Sequence, residues 1–460
     1  MPRVMIAAAA SGGGKTTVTC ALLRALEQKG YRAASFKCGP DYIDPMFHRE
    51  SLHTVWSGNL DLFFCGPKQV RELLAQGSRD ADIAVIEGVM GYYDGLGGIS
   101  SRASSYDLAK TTGTPVIFAA DCRGCSVSVC AQIRGFLEFT KDHHIAGILL
   151  NRMPGGLYPE LKAMVETQCG LPVVGYLPLL PDCALESRHL GLKPAGEVAG
   201  LSEKLDRLAE AFLQTVDLEK ILEIARSAPA LSGESPAEEP QESFPVKIAV
   251  AWDAAFCFYY AETLALLERL GARLCMFSPL HDRQLPEGAC GLLLGGGYPE
   301  CYAKELSENT QMRMEISRAI QNGMPTIAEC GGFLYLHESL EGMDGAVYPM
   351  AGVIPSKAYR TGRLGRFGYI NLTAEKENLL CEKGQVLPAH EFHYWESSLP
   401  GEGFLAKKPL RKREWQCVHL SDTLYAGFPH LYLAGAPEAA ARFLARASIY
   451  QKGETGNAAR

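Results

Sequence analysis

Short, unbroken apolar runs alternate with longer amphipathic stretches along the whole chain. In the front half the runs are Val4–Ala10, Arg32–Lys37, Ile83–Glu87, Val116–Ala120, Ala146–Leu150 and Pro172–Leu177, each bounded by Gly, Pro or Asp. Runs without polar alternation suit strands buried on both faces, as in a parallel sheet covered by helices. The rhythm returns in Val246–Trp252, Arg273–Phe277, Gly291–Leu294 and Thr326–Ala328. Both halves are therefore expected to be α/β. Between them, the 19 residues Ser227–Pro245 hold four Pro, four Ser and four Glu, with neither Lys nor Arg. That composition predicts an extended, solvated linker. The expected organisation is a domain at 1–226, a linker at 227–245, a second domain at 246–450 and a flexible tail at 451–460.

A length of 460 residues agrees with two or three domains of about 150 residues each. No apolar run approaches the roughly 18 to 20 residues that cross a bilayer, and the start, Met-Pro-Arg-Val-Met-Ile, lacks the features of a secretory signal. A cytoplasmic location is the expectation. A net charge of -7 argues against non-specific binding to nucleic acid or anionic membrane, so the partners should be small molecules. The fifteen cysteines are odd in number and scattered from Cys20 to Cys417, which predicts reduced, mostly buried thiols rather than a disulfide framework. Cys122 and Cys125 have zinc-knuckle spacing but no second pair beside them.

The first strand ends in Ala9-Ala10-Ser11-Gly12-Gly13-Gly14-Lys15-Thr16-Thr17, and a helix is predicted through Val18–Gln28. A loop free of side chains lets successive N–H groups and the helix start face phosphate oxygens. Lys15 would neutralise charge and Thr16 would ligate magnesium. Gly12, Gly13, Gly14, Lys15, Thr16 and Thr17 are the expected ATP contacts, although Ala9 stands where the strict phosphate-loop pattern has its first Gly. The next strands end in Lys37-Cys38-Gly39-Pro40-Asp41-Tyr42-Ile43-Asp44-Pro45 and in Glu87-Gly88-Val89-Met90-Gly91-Tyr92-Tyr93-Asp94. Strand ends of a parallel sheet share one edge, so Asp41, Asp44, Glu87 and Asp94 should converge on one crevice. Hard carboxylate oxygens together with Thr16 would suit magnesium.

Behind the linker, Thr326-Ile327-Ala328-Glu329-Cys330-Gly331-Gly332 places a Cys at a strand-to-helix turn, where the helix start should favour its thiolate. His430, about 100 residues on, is the candidate proton acceptor. Gly295-Gly296-Gly297-Tyr298-Pro299-Glu300 offers bare N–H groups for an oxyanion. His390 and His393 have a metal reading, but their Tyr and Trp neighbours favour a structural or substrate role. Arg363 and Arg366 suit either a solvated turn or bidentate pairing with carboxylates.

The back half resembles the class I glutamine amidotransferases, in which a Cys thiolate attacks the side-chain amide of glutamine. Two departures stand out: Ala328 replaces the Gly two before the Cys, and Tyr432 replaces the Glu two after the His. Phe36-Lys37 through Pro45, Asn59-Leu60-Asp61, Glu87 through Gly95, Arg188-His189-Leu190-Gly191-Leu192, Asp253-Ala254-Ala255-Phe256 and His390-Glu391-Phe392-His393-Tyr394 follow in order. Taken together with the phosphate loop, the chain resembles the cobyrinic acid a,c-diamide synthase family, whose pattern covers all but the linker and tail.

That resemblance implies a dethiobiotin-synthetase-like, phosphate-loop ATPase domain followed by a class I glutaminase domain. It implies ATP- and glutamine-dependent amidation of the a and c acetate side chains of a corrin-type tetrapyrrole through acyl phosphates, with ammonia passing between facing sites. Catalysis would fall to Cys330 and His430, the glutamine and oxyanion pocket to Gly296, Gly297 and Gly331, and magnesium to Thr16, Asp41 and Glu87. Tyr42, Asp44 and Asp94 would touch substrate. Partners would be the tetrapyrrole, ATP and L-glutamine, with no nucleic acid or membrane, in a monomer or homodimer. The same amidation on hydrogenobyrinate or nickel sirohydrochlorin is the rival within the class. A partitioning-type ATPase switch fits less well, because such proteins carry a second Lys where Ala10 stands and need no Cys-bearing domain.

Overall fold

The computed structural model describes residues 1–184, 187–188, 191–192, 200–231 and 242–458, the side chains of 187–188, 191–192 and 454–458 excepted. They fall into two units, Met1–Ala237 and Glu238–Arg460. His189 and Leu190 of the Arg188–Leu192 motif, and 232–241 of the expected linker, lie outside the described residues.

Among the described residues, the front unit is built on a seven-stranded parallel sheet in the order Trp56–Leu60, Ala33–Cys38, Ile83–Glu87, Arg3–Ala8, Val116–Asp121, Ile145–Asn151, Val173–Leu177. Arg3–Ala8 is buried at every position, as a central strand between two helical layers must be. The chain crosses to opposite sides of this strand, so a crevice opens at the carboxyl ends beside it. Trp56–Leu60 escapes an apolar-run search because two of its buried positions, Ser57 and Asn59, are polar. The Ser57 hydroxyl lies 2.7 Å from that of Ser35, and Asn59 donates to the carbonyls of Gly39 and Asp41.

The sheet's core takes in Leu205, Leu208, Phe212, Ile221, Leu222 and Ala225 from the unit's last two helices. Arg3, fully enclosed, donates to the carbonyl of Thr112 at 2.7 Å and to that of Pro229 at 2.7 Å. Its guanidinium therefore fastens the start of the first strand to residues expected in the solvated linker. Leu231 is buried as well. At the other end of that stretch, Phe244 donates to Leu270 and packs on the back unit's core. Apolar anchors thus pull both ends of the linker onto folded surfaces.

In the back unit a six-stranded sheet runs Arg273–Phe277, Lys247–Ala251, Gly291–Leu294, Thr326–Glu329, Leu424–Gly427, His419–Leu420, parallel but for the last pair. Two further sheets depart from the expected α/β rhythm. A mixed one joins Val347–Pro349, His337–Glu341, Ile354–Arg360 and Trp395–Ser397. An antiparallel one joins Glu414–Cys417, Phe404–Lys407, Phe367–Ala374, Val386–Phe392 and His430–Leu431. Ile354–Arg360 shows why they are hard to see: its buried positions alternate with exposed ones, so no continuous run marks the strand. The helix Pro437–Ala458 carries on through most of the stretch expected as a tail. No helix among the described residues is long and apolar enough to cross a membrane.

Candidate active sites

In the front unit the phosphate loop turns on Gly12 and Gly14, whose φ values of 74° and 87° favour glycine. The helix begins at Lys15, three residues earlier than expected, with Gly14 as its cap. The Lys15 ammonium reaches back over the loop to the carbonyls of Ala10 at 3.1 Å and Met90 at 2.5 Å. Burial and the neighbouring Lys37 charge lower its pKa to about 8. The loop is propped from the side by two residues that motif reading passed over. Asn151 donates to the Gly13 carbonyl at 3.0 Å, and Arg152 donates to Gly12 at 2.9 Å while pairing with Asp121 at 2.8 Å. A β-carbon at Gly14 would stand 2.2 Å from the Asn151 amide nitrogen, so the third glycine is sterically required.

The carboxylates at the strand ends converge, around a cation that sequence reading left without a role. Strand register sets Lys37 beside Glu87. The Lys37 ammonium donates to Glu87 Oε1 at 2.6 Å and to Asp44 Oδ2, and Thr16 Oγ1 donates to the same Glu87 oxygen at 2.7 Å. Burial opposes charge on Lys37, but Asp44 and Glu87 outweigh it and hold its pKa above the ordinary value. Burial likewise pushes Asp44 up, yet Lys37 and His48 bring its carboxyl below the usual range. Glu87, with less compensation, is raised. His48, enclosed 3.7 Å from Glu87 Oε2, is lowered to about 4 by burial and stays neutral.

Asp44 belongs to the first turn of a helix, Ile43–Ser51, rather than to a loop. Asp41 accepts the N–H groups of Ile43 and Asp44 there, and burial beside Asp44 lifts its pKa to about 7. Asp94 acts on the Lys15 ammonium together with Glu87 and Asp44. It caps Gly91 at 2.9 Å and lines a cavity of about 580 Å³ with Ala9, Tyr93, Ile99, Phe136 and Phe139. Tyr42 precedes the helix at a half-buried position.

In the back unit Cys330 follows the strand Thr326–Glu329 and holds φ 46°, ψ -97°, a strained backbone for a residue with a side chain. The glycine segments close around it. A β-carbon at Gly331 would lie 3.0 Å from the Gly297 nitrogen, one at Gly332 would lie 2.1 Å from the Leu294 carbonyl, and one at Gly296 would lie 2.5 Å from His430 Cε1. Cys330, Gly331, Gly296, Gly297 and His430 are therefore brought together. The Gly295 N–H donates to the Tyr259 hydroxyl and the Tyr298 N–H to Ala255, so these two amides serve the loop itself.

Burial, then Glu300 and Glu329, push the Cys330 thiol well above its ordinary value. The helix that follows has only five residues, Gly331–Tyr335, too short a dipole to offset them. His430 is brought to the same turn through Gly296.

His390 and His393 have different neighbours. His390 sits cross-strand from His430, while His393 bonds the Trp395 carbonyl at 2.6 Å and stacks on Phe428. Burial lowers both to about 3. Arg366 packs over Trp415 at 4.9 Å. All fifteen cysteines are free thiols.

Residues 4–192 match the CobQ/CobB/MinD/ParA nucleotide binding domain, and residues 247–432 match the CobB/CobQ-like glutamine amidotransferase domain. Along its whole length the chain is 39% identical over 449 residues to the cobyrinate a,c-diamide synthase of Caldanaerobacter subterraneus subsp. tengcongensis, covering 97% of this chain and 98% of that one. The chain belongs to the cobyrinate a,c-diamide synthase family. Family members named in the same way in Listeria innocua and Salmonella typhimurium are each 39% identical, over 95% and 96% of this chain and 97% of each of theirs. The nucleotide-binding match takes in the phosphate loop, and the amidotransferase match takes in Cys330 and His430.

Proposed function

We propose that the chain is a glutamine-hydrolysing carbon–nitrogen ligase that amidates the c and a acetate side chains of cobyrinate, giving cobyrinate a,c-diamide in cobalamin biosynthesis. The observation that carries this is the end-to-end match to family members of that name, with both domains in one chain. We assign the synthetase step to the front unit and the glutaminase step to the back unit. The free thiols and the dependence on ATP and glutamine support a cytoplasmic setting.

A carboxylate is a poor acceptor for ammonia, because its leaving group would be oxide. ATP therefore transfers its γ-phosphoryl group to a substrate carboxylate oxygen, releasing ADP and giving an acyl phosphate. Backbone N–H groups of Gly12, Gly13 and Gly14, the Lys15 ammonium and the Thr16 and Thr17 region receive the phosphates. Among the described residues no group of three or more His, Cys, Asp or Glu is placed to hold a metal alone. Magnesium does not require one, since it takes one or two protein oxygens and completes its shell with phosphate and water. The donor set fits: Thr16 and Glu87 lie 2.7 Å apart, and Asp41 stands at the same strand ends. Bound there, magnesium would neutralise charge on the β- and γ-phosphates.

Asp44 is held by Lys37, so its part is to set the floor of the crevice, while Tyr42 and Asp94 face substrate. In the back unit Cys330 gives its proton to His430 and attacks the glutamine carboxamide, with the oxyanion received by N–H groups of Gly296, Gly297 and Gly331; His430 returns the proton to the leaving nitrogen as the C–N bond breaks, and water then hydrolyses the glutamyl thioester to glutamate and the free thiol. Ammonia released there displaces phosphate from the acyl phosphate and leaves the amide. Purified protein incubated with ATP, glutamine and each of cobyrinate, hydrogenobyrinate and nickel sirohydrochlorin tests this. Two amidations, read by mass, are expected on cobyrinate. Amidation of only one of the other macrocycles would move the substrate assignment, and no amide on any would overturn it.

A further inference from the structure

We infer that Glu329 is the positioning carboxylate of the glutaminase site, holding His430 in the orientation that accepts the Cys330 proton. This rests on the assignment of Cys330 and His430 as the reacting pair. Class I enzymes place a Glu two residues after the His, and Tyr432 fills that position here. The Tyr432 ring is buried edge-on against Tyr260, with centroids 4.8 Å apart. Glu438, the next acid along the chain, is exposed. Glu329 instead reaches the histidine from the end of the strand that leads into Cys330. Its Oε2 lies 3.6 Å from His430 Nδ1, and its Oε1 accepts the Leu431 N–H at 2.9 Å. The second contact pins the carboxylate to the residue after the histidine, so acid and ring move as one body. The Glu329 side chain is only 11% exposed, so little water competes for it.

The chemistry follows from that placement. At 3.6 Å the carboxylate is within ion-pair range of Nδ1 but beyond hydrogen-bond reach; closing that gap when glutamine binds would keep the neutral ring's proton on Nδ1 and leave Nε2 as the acceptor. The thiol proton then moves to Nε2, the sulfur lone pair attacks the carboxamide carbon, and the imidazolium so formed is stabilised by the carboxylate beside it. The thiol is buried near the acids Glu300, Glu329 and Glu391, which oppose its ionisation, and an oriented base is what overcomes that resistance. His390 and His393, which also act on this ring, are both neutral across the working range, whereas Glu329 brings a carboxylate to it.

The test uses the full chain and separates this inference from the assignment beneath it. E329Q should lower glutaminase kcat by about 10²- to 10⁴-fold with little change in KM, as loss of an orienting carboxylate does elsewhere. The acid limb of kcat/KM should move to lower pH, because removing the anion makes the imidazolium less stable. Amidation driven by ammonium should be kept, which reports an intact fold. Wild-type kcat and an unmoved acid limb in E329Q, with C330S inactive on glutamine, would overturn the inference. Glutaminase activity surviving in C330S would overturn the Cys330 assignment instead. Should E329Q fail to fold, ¹⁵N-histidine spectra of the native chain decide: a His430 proton on Nδ1 is expected, and one on Nε2 would sink the proposal.

Discussion

Lys37 and Glu87 meet at 2.6 Å inside the front unit, each less than a tenth exposed, with Asp44 completing the ion triad. A buried ion set adds little net stability, but removing one member strands the others. K37M should therefore cost about 3–5 kcal/mol, read as a lowered midpoint in urea. Double replacement with E87Q should recover part of the loss, and additive costs would mean that the two residues do not act as a pair.

The two half-reactions should come apart by mutation. C330S is expected to abolish amidation with glutamine while leaving it with ammonium salt. K15A should lower both by about 10²- to 10³-fold, since it removes a cation from the transferring phosphoryl group. Loss of ammonium-driven activity in C330S would mean that the cysteine serves more than glutamine hydrolysis.

Gly296 and His430 are in van der Waals contact, so a single methyl group should separate binding from chemistry. In G296A the new β-carbon would stand 2.5 Å from His430 Cε1 and must push the ring aside. A displacement of about 1 Å can cost about 10²-fold in rate. Glutaminase kcat should fall by that order, with the melting temperature and ammonium-driven activity nearly unchanged.

Acid should unfold the protein through its buried histidines. His48 and His337 are held near 4, and His390 and His393 near 3, in each case chiefly by burial. Unfolded, they would take up protons from their ordinary value of about 6.5 downward, so the unfolded state binds more protons between about pH 6.5 and 4 and stability rises with pH there. Asp41 and Glu391, each raised to about 7 chiefly by burial, and Glu87, raised as well, work against this trend from their ordinary range upward, but they are fewer than the four histidines. Thermal melts from pH 7 to pH 4 should show a steady fall, and H390N should flatten it. A flat profile in the native chain would refute the account.

What sequence conveyed, and what it withheld, follows one physical distinction. The phosphate loop and the Cys330 turn are contiguous: strand, glycines and reactive residue lie within a dozen positions, and local geometry imposes their order. Lys37, Asn151 and Arg152 act only through neighbours that the sheet register delivers, from 50 residues away in one case and about 140 in the others. Glu329 was visible beside Cys330, but its partner lies 101 positions on, at the end of a strand of two residues that no periodicity marks. The strand Trp56–Leu60 was missed because Ser57 and Asn59, two of its buried positions, carry a hydroxyl and an amide that are satisfied by Ser35 and by the carbonyls of Gly39 and Asp41.

The Arg3 clasp on Pro229 carries a consequence for how the protein is made. The guanidinium emerges from the ribosome among the first residues, but one of its acceptors is more than two hundred residues behind, past the helix that supplies Ile221 and Leu222. At roughly 5–20 residues per second, the first strand waits on the order of 10–50 s before its enclosure can be complete. Nascent chains arrested with residue 215 as the last one outside the exit tunnel should be cut readily by protease, and those arrested beyond residue 231 should resist. The front unit thus closes only as synthesis enters the segment that leads to the glutaminase.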